Sequence, residues 1–209
     1  MPSDAALIVP ATPDPAAIAS HLLFLTMQPL TSYWMGVEDE RSAIEILARM
    51  YRGTRNLFSH QFADLALVDG APVGLLLAYT APTMKRLEIL TLLHFIRAAG
   101  LMAAFRMVWR SLPLQGIVAA APDEYFLAHL AVLPEFEGRG IGQQLLHRAE
   151  DRAREASARK LTLTVEAENS RAIELYSRFG MSITATINLE PLRRRFGWAG
   201  YHHMAKDVR

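Results

Sequence analysis

The sequence contains no cysteine, and this absence excludes several kinds of chemistry. None of its 209 residues can form a disulfide, act as a thiol nucleophile or supply a thiolate ligand to zinc. His202 and His203 are adjacent in a segment with the pattern of a strand. Neighbouring residues of a strand point to opposite faces, so this pair is not expected to share a metal ion. We therefore expect no metal cofactor.

The chain also lacks a charge excess and a long uninterrupted apolar segment. Its 22 Lys and Arg residues nearly cancel 21 Asp and Glu residues, and a net charge of +1 gives no support for a nucleic-acid partner. The most apolar stretch, residues 87–109, contains Arg97 and Arg106, which would be costly inside a bilayer. The N-terminus shows no basic and then apolar leader. We expect a cytoplasmic protein without a nucleic-acid or membrane partner.

The first part of the chain has the pattern of a strand, two helices and a hairpin. Asp14 with Pro15 is typical of a helix start, and Asp69-Gly70 is typical of a hairpin turn. The predicted elements are a strand over 5–9, a helix from 15 to about 27, a helix opened by Glu38 or Asp39 and ending near Arg52, and strands over 62–68 and 73–79.

The second part adds a helical insertion over residues 82–112, broken at Gly100, before the pattern of strands and helices resumes. The predicted elements are strands over 125–132, 161–165, 181–189 and 198–205, a helix from Ile141 and a helix over 169–179 closed by Gly180. Arginines 193–195 are interpreted as a solvated turn. The chain shows no internal repeat or low-complexity linker, so we expect one domain over residues 1–209.

A glycine-rich turn precedes the helix at Ile141, with Gly138, Gly140 and Gly142. The first turn of a helix has unpaired backbone N–H groups and a positive dipole end, and both favour a phosphate or pyrophosphate. The turn is not the first strand–helix turn of the chain, which argues against a Rossmann site. A P-loop is excluded because no Gly-Lys-Ser/Thr follows. Taken alone, the turn also fits simple punctuation between a strand and a helix.

A second motif follows, in which Asn169 fits an N-cap and Ala172, Tyr176 and Phe179 lie along one side of a helix. The segments HLAVLPEFEGRGIGQQLL and LTLTVEAENSRAIELYSRFGM resemble the acetyl-CoA-binding half of the GNAT N-acetyltransferase superfamily. The opening ALIVPATPDPAAIASHL and the closing YHHMAK resemble the first and last elements of that superfamily. The resemblance covers most of the chain except residues 82–122.

The resemblance implies an α/β (α+β) fold of GNAT type. In that fold a central mixed, mostly antiparallel sheet is splayed in the middle and flanked by helices, and here it would carry the extra insertion at 82–112. It also implies that the chain transfers the acetyl group of acetyl-CoA to a primary amine of a small molecule or peptide by direct attack. An alternative that stays open is an acetyl-CoA-binding sensor or assembly module without turnover.

The same resemblance assigns roles to individual residues. The backbone of Leu130, Ala131 and Val132 would bind the pantetheine arm, and Asn169, Ala172 and Tyr176 would bind the cofactor near the thioester, with Tyr176 as general acid toward the departing thiolate. The pyrophosphate would lie on the backbone of Gly138, Arg139, Gly140, Ile141, Gly142 and Gln143.

Two positions depart from the family pattern. Glu137 stands where Gln or Arg is usual, and a carboxylate there repels a pyrophosphate unless it points away. Thr164 stands where the ribosomal-protein alanine acetyltransferases carry a catalytic Glu, which argues against that subfamily.

The identity of the general base stays open at this point. His129 on the central strand has an ordinary pKa of about 6.5, and alternation places it on the face opposite Leu130. Glu124 directly precedes the same strand, and Glu166 directly follows the neighbouring one. A base elsewhere or an ordered water is a further alternative.

The insertion also has more than one interpretation. It is too polar to span a bilayer and too apolar to lie free in water, so something must cover its apolar side. The alternatives are packing on the domain, a homodimer interface, and a lid in which Phe105 and Trp109 favour an amine with an apolar or aromatic body.

Overall fold

The computed structural model describes residues 6–27, 30–35, 37, 39–112, 120–188 and 200–208. In these ranges the strands are β1 Leu7–Pro10, β2 Ala63–Val68, β3 Ala71–Thr80, β4 Glu124–Val132, β5 Lys160–Glu166, β6 Ser182–Asn188 and β7 Gly200–Asp207. The helices are α1 Ala16–Leu25, α2 Leu30–Met35, α3 Glu40–Arg52, α4 Ala81–Ala99, α5 Leu101–Ser111, α6 Ile141–Glu155 and α7 Ser170–Arg178. No helix within these ranges is long and apolar enough to cross a membrane.

The strands form one sheet in the order β1-β2-β3-β4-β5-β7-β6. Every neighbouring pair is antiparallel except β4 and β5, which are parallel. The predicted mixed, mostly antiparallel sheet is therefore confirmed. The hairpin of β2 and β3 turns at Asp69 and Gly70, which both have positive φ, as the Asp-Gly signal predicted.

The sheet is split between β4 and β5. The parallel pairing runs from Glu124 and Lys160 to Leu127 and Leu163. At that point β4 has a bulge, because Leu77 pairs with His129 while the next residue of β3 pairs with Leu127. An extra residue in one strand bends that strand and increases its twist. The second half of β4 therefore pairs with β3 alone, which confirms the expected splay.

Each face of the sheet has its own hydrophobic core. The first face is covered by α1, α3 and the insertion, and Leu22, Leu47 and Phe95 are almost fully buried there. The second face is covered by α6 and α7, through residues such as Leu145 and Tyr176.

Helix α6 is also fixed to the sheet by charge. The buried Asp64 of β2 accepts hydrogen bonds from Arg152 Nη1 at 2.6 Å and from Arg148 Nε at 3.3 Å. A buried carboxylate requires such partners. The pairs hold the helix that begins at the glycine turn.

Local signals predicted most helix ends. Asp39 caps α3, with its carboxylate accepting from Ser42 N at 2.7 Å, and Gly100 separates α4 from α5 with φ of 88°. One prediction was wrong, because α1 begins at Ala16 with Pro15 as its N-cap and no side-chain cap, so Asp14 does not cap it. Helix α2 was not predicted. Ala5, Glu38, Leu189, Trp198, Ala199 and residues 193–195 lie outside the described residues.

Candidate functional site

The glycine turn leaves the N-terminus of α6 open. Gly138 and Gly140 have φ of 77° and 78°, and a Cβ built on either would meet no atom within 4 Å. Gly140 occupies the N-cap position in the left-handed region, where no side chain caps the helix. The first N–H groups of α6 therefore lack an intrahelical or capping partner and are available to an anion. This arrangement fits a pyrophosphate.

Gly142 serves a different purpose, which is close packing. A Cβ at this position would lie 3.4 Å from Leu175 Cδ2 of α7 and 4.0 Å from Leu130 Cδ2 of β4. The start of α6 thus lies against both α7 and the end of β4. Leu130, Ala131 and Val132 pair with β3 on one side only, because the β4–β5 pairing stops at Leu127. Their other backbone edge borders the split, where the pantetheine arm was predicted.

The start of α7 has the predicted cap. Asn169 Oδ1 accepts a hydrogen bond from Ala172 N at 3.1 Å. One turn further on, Tyr176 is buried in the core of the second face. Burial raises the pKa of Tyr176 to about 12. The phenol therefore keeps its proton at neutral pH, as a proton donor must.

Glu137 has a partner of opposite charge on α7. Its carboxylate forms an ion pair with Arg171 of α7, with Oε2 2.5 Å from Nη1. This pair connects the glycine turn to the first turn of α7. Arg139 bends back onto its own turn, donating to Glu135 O at 3.2 Å and lying over the Phe136 ring. The departure at position 137 thus has a local partner that sequence motifs do not show.

His129 lies on the first face with a defined tautomer. Thr26 Oγ1 lies 2.7 Å from the carbonyl oxygen of Leu23 and 2.8 Å from His129 Nδ1. A hydroxyl has one hydrogen, which goes to the carbonyl, so Nδ1 must donate to Thr26. Nε2 therefore carries the lone pair. The ring stacks on Phe58 with centroids 5.6 Å apart.

The surroundings of His129 weaken it as a base. Burial lowers the pKa of its imidazole from 6.5 to about 4. The side chain is therefore neutral at neutral pH, but it binds a proton poorly. General bases work best when their pKa lies near the working pH. A pKa of about 4 therefore argues against His129 as the group that holds the proton of an acceptor.

The two candidate glutamates lie at opposite ends of the split. Glu124 pairs with Lys160 at the closed end, and its Oε2 accepts from Ala121 N at 2.9 Å. Glu166 is the last residue of β5, three residues beyond Leu163, where the pairing with β4 stops. Burial, with a smaller contribution from Glu168, raises the pKa of Glu166. Glu166 therefore lies at the open end of the split, and Glu124 lies at the closed end.

Thr164 and Glu166 share a face with polar residues of β7. Strand alternation places both opposite Leu163 and Val165, which belong to the second core. Glu166 pairs with Tyr201, and Thr164 pairs with His203, with Oγ1 3.5 Å from Nδ1. His202 instead bonds to Thr186 Oγ1 at 2.9 Å. The adjacent histidines thus have different partners, and no group of metal-ligating residues occurs in the described ranges.

A series of rings connects the insertion with His129. Phe95 of α4 lies 6.5 Å from Trp34 of α2, and Trp34 lies 6.3 Å from Phe58, which stacks on His129. Trp34 Nε1 also donates to Ser111 Oγ of α5 at 2.7 Å. The inner side of the insertion therefore contributes to the first face near the split.

Phe105 and Trp109 do not take part in this series. Both point outward from α5, with 67% and 66% of their surface exposed.

Curated acetyltransferases match part of the chain in sequence. A Propionibacterium freudenreichii mycothiol acetyltransferase is 39% identical over 57 residues, which are 27% of this chain and 18% of that protein. A Bacillus subtilis (strain 168) protein provisionally named [ribosomal protein bS18]-alanine N-acetyltransferase is 36% identical over 59 residues, 28% of this chain and 39% of its own. The chain thus matches well under two thirds of the length of these relatives.

Solved structures resemble the whole fold. An N-acetyltransferase from Staphylococcus aureus Mu50 matches with a TM-score of 0.75 and 17% identity, over 96% of this chain and 100% of its own. Another acetyltransferase matches with a TM-score of 0.71 and 22% identity, over 97% of this chain and 100% of its own. At such identities the likeness concerns the fold alone. The family model for the acetyltransferase (GNAT) family matches residues 30–181, and the chain belongs to that family.

Proposed function

We propose that this protein transfers the acetyl group of acetyl-CoA to a primary amine of a small molecule or peptide. The proposal rests on three features that lie close together at the second face of the sheet. These are the open N-terminus of α6, the capped start of α7, and the unpaired edge of β4. A helix start suits a pyrophosphate, and a free strand edge suits the amide groups of a pantetheine arm.

Bound acetyl-CoA would supply an activated acyl group on a thiol leaving group. The backbone of residues 138–143 would hold its phosphates, and the backbone of Leu130 to Val132 its extended arm. Tyr176 would donate its proton to the departing thiolate. Burial raises the pKa of that phenol to about 12, so its proton is present at neutral pH, and what supports the role is the place of Tyr176 on α7 behind the capped helix start rather than its acidity.

The acceptor would approach from the first face, across the split from Tyr176. An alkyl amine is mostly protonated at neutral pH and must lose a proton before it attacks. We assign this proton to the Glu166 carboxylate, whose raised pKa lies closer to neutrality than that of an ordinary Glu. His129, with a pKa of about 4, would contact the acceptor through Nε2 without holding the proton.

The same face suggests the kind of amine. Phe58 stacks on His129 and Trp34 lies against Phe58, whereas Glu166 and Tyr201 would provide polar groups across the split. Aromatic rings bind flat apolar groups and also attract cations. An amine with an apolar or aromatic body is therefore the acceptor class that this site favours.

Cofactor specificity tests the proposal. A ligand present at 100 times its Kd stabilises a protein by about 2.7 kcal/mol. Each kcal/mol raises the Tm of a domain of this size by roughly 2–4 °C, so acetyl-CoA should raise it by about 5–10 °C. NADH and ATP are the controls, because they carry a pyrophosphate without a pantetheine arm. A rise with acetyl-CoA alone supports the proposal, and an equal rise with NADH or no rise at all would contradict it.

A further inference from the structure

Helix α5 has a second apolar face that the described residues leave uncovered. Its inner side is buried through Ala103, Ala104 and Met107. Its outer side carries large apolar residues at spacings that place them on one stripe of a helix. The stripe consists of Leu101, Met102, Phe105, Val108, Trp109 and Leu112, which are between 45% and 73% exposed.

The exposure of the stripe does not result from a detached helix. Ser111 accepts a hydrogen bond from Trp34 of α2, and the buried inner side joins the core of the first face. Helix α5 therefore has a fixed orientation that presents the stripe outward. Contiguous exposed apolar patches of this kind mark interaction sites on soluble proteins.

The charges around the stripe are of one sign. Arg106 follows Phe105 of the stripe by one position, which places it about 100° around the helix from Phe105 and beside the stripe. Residues 81–112 contain five Lys or Arg residues and one acidic residue, Glu88. The chain as a whole is nearly neutral at +1, so basic charge is concentrated at the insertion.

This charge pattern disfavours a second copy as the occupant. A two-fold contact would bring the same patch of both copies together. Arg106 of one copy would then face Arg106 of the other, and the sequence of α5 contains no acidic residue. The pattern instead complements a surface that is both apolar and anionic.

We propose that the outer face of α5 docks on an anionic lipid surface. An interfacial helix has large apolar residues, often with Trp and Phe, on one side and Arg or Lys beside them. The stripe would enter the region between headgroups and acyl chains, and Arg106 would meet lipid phosphates. A fluid surface has no shape to match, which suits a convex stripe that forms no groove.

The proposal replaces the expectation that the chain has no membrane partner. That expectation rested on the charges that interrupt residues 87–109, which exclude a spanning helix. An interfacial helix lies parallel to the membrane and needs such charges at its border. The described helices contain no candidate span, and the proposal does not require one.

Vesicle sedimentation tests the proposal with the full chain. We expect it to sediment with vesicles of phosphatidylcholine mixed with phosphatidylglycerol, more weakly with phosphatidylcholine alone, and less at high salt. Trp109→Ser should lower partitioning at least tenfold, and Arg106→Gln about fivefold on the anionic vesicles only. Leu101→Ser and Leu7→Ser form a matched pair, since both residues are exposed, at 73% and 64%, but Leu7 lies on edge strand β1.

Only Leu101→Ser should weaken binding in that pair, and both variants should keep the Tm of the parent. Equal loss in both variants would overturn the proposal. So would the absence of sedimentation on any vesicle. In that case light scattering would identify the occupant. A dimer that dissociates in Trp109→Ser would identify a second copy, and a monomer would point to an acidic protein.

Discussion

Replacing Gly140 by Ala separates binding of the phosphates from stability of the turn. Gly140 and Gly70 have nearly the same φ, 78° and 77°, and a Cβ on either meets no protein atom within 4 Å. An L-residue in the left-handed region costs about 1–2 kcal/mol. Gly140→Ala and Gly70→Ala should therefore lower the Tm of the free protein by a similar amount, roughly 2–8 °C.

The two variants should differ once acetyl-CoA is added. The Gly70 turn joins β2 to β3, away from the start of α6, so Gly70→Ala should keep the full rise of about 5–10 °C. At position 140 the methyl group would lie where the phosphates approach the backbone. If the Kd rises a hundredfold, the same ligand concentration stabilises by RT ln 2, about 0.4 kcal/mol, and the rise falls to about 1 °C. A full rise in Gly140→Ala, measured by thermal shift, would refute the assignment of the glycine turn to the phosphates.

Three further predictions concern other residues of the site. Glu166→Gln should lower kcat by about 10²–10⁴-fold and remove the acidic limb of the pH profile of kcat/KM, whereas His129→Gln should keep that limb. Glu137→Gln should strengthen acetyl-CoA binding several-fold in calorimetry, because Arg171 is released toward the phosphates. It should change stability by less than ~1 kcal/mol, since the side chains of Arg171 and Glu137 are 73% and 36% exposed and solvent screens the pair. Burial lowers the pKa of His129 from 6.5 to about 4, so between these pH values the unfolded chain binds a proton that the folded chain does not. Stability should therefore fall as the pH falls through this window, by about 3 kcal/mol, and His129→Gln should flatten that slope in urea titrations.

Local chemistry was enough to predict part of the fold. Asp39 and Asn169 cap helices because their side chains satisfy backbone N–H groups a few residues away, and this depends on nothing distant. Gly100 separates two helices for an equally local reason, since its φ of 88° is unfavourable for other residues. Helix α2 has no such signal. It spans six residues, and its position depends on contacts such as Trp34 with Ser111.

The site was predictable on one side of the sheet only. The cofactor motifs are continuous in sequence, so Gly140, Asn169 and Tyr176 could be assigned from the pattern. The role proposed for Glu166 depends on where β4 bulges and where its pairing with β5 stops, and both follow from long-range contacts. The ion pair of Glu137 with Arg171 likewise joins two motifs that only the fold brings together.

Amine-dependent release of the CoA thiol tests the central claim most directly. A panel of primary amines with apolar, aromatic and peptide bodies is incubated with the protein and acetyl-CoA, and the rate of free thiol release is measured. The same rate is measured for Tyr176→Phe, which should bind acetyl-CoA normally. The account predicts release that requires an amine and falls about 10²–10⁴-fold in Tyr176→Phe. Binding of acetyl-CoA without release for any amine would contradict it and leave a sensor or assembly module as the function.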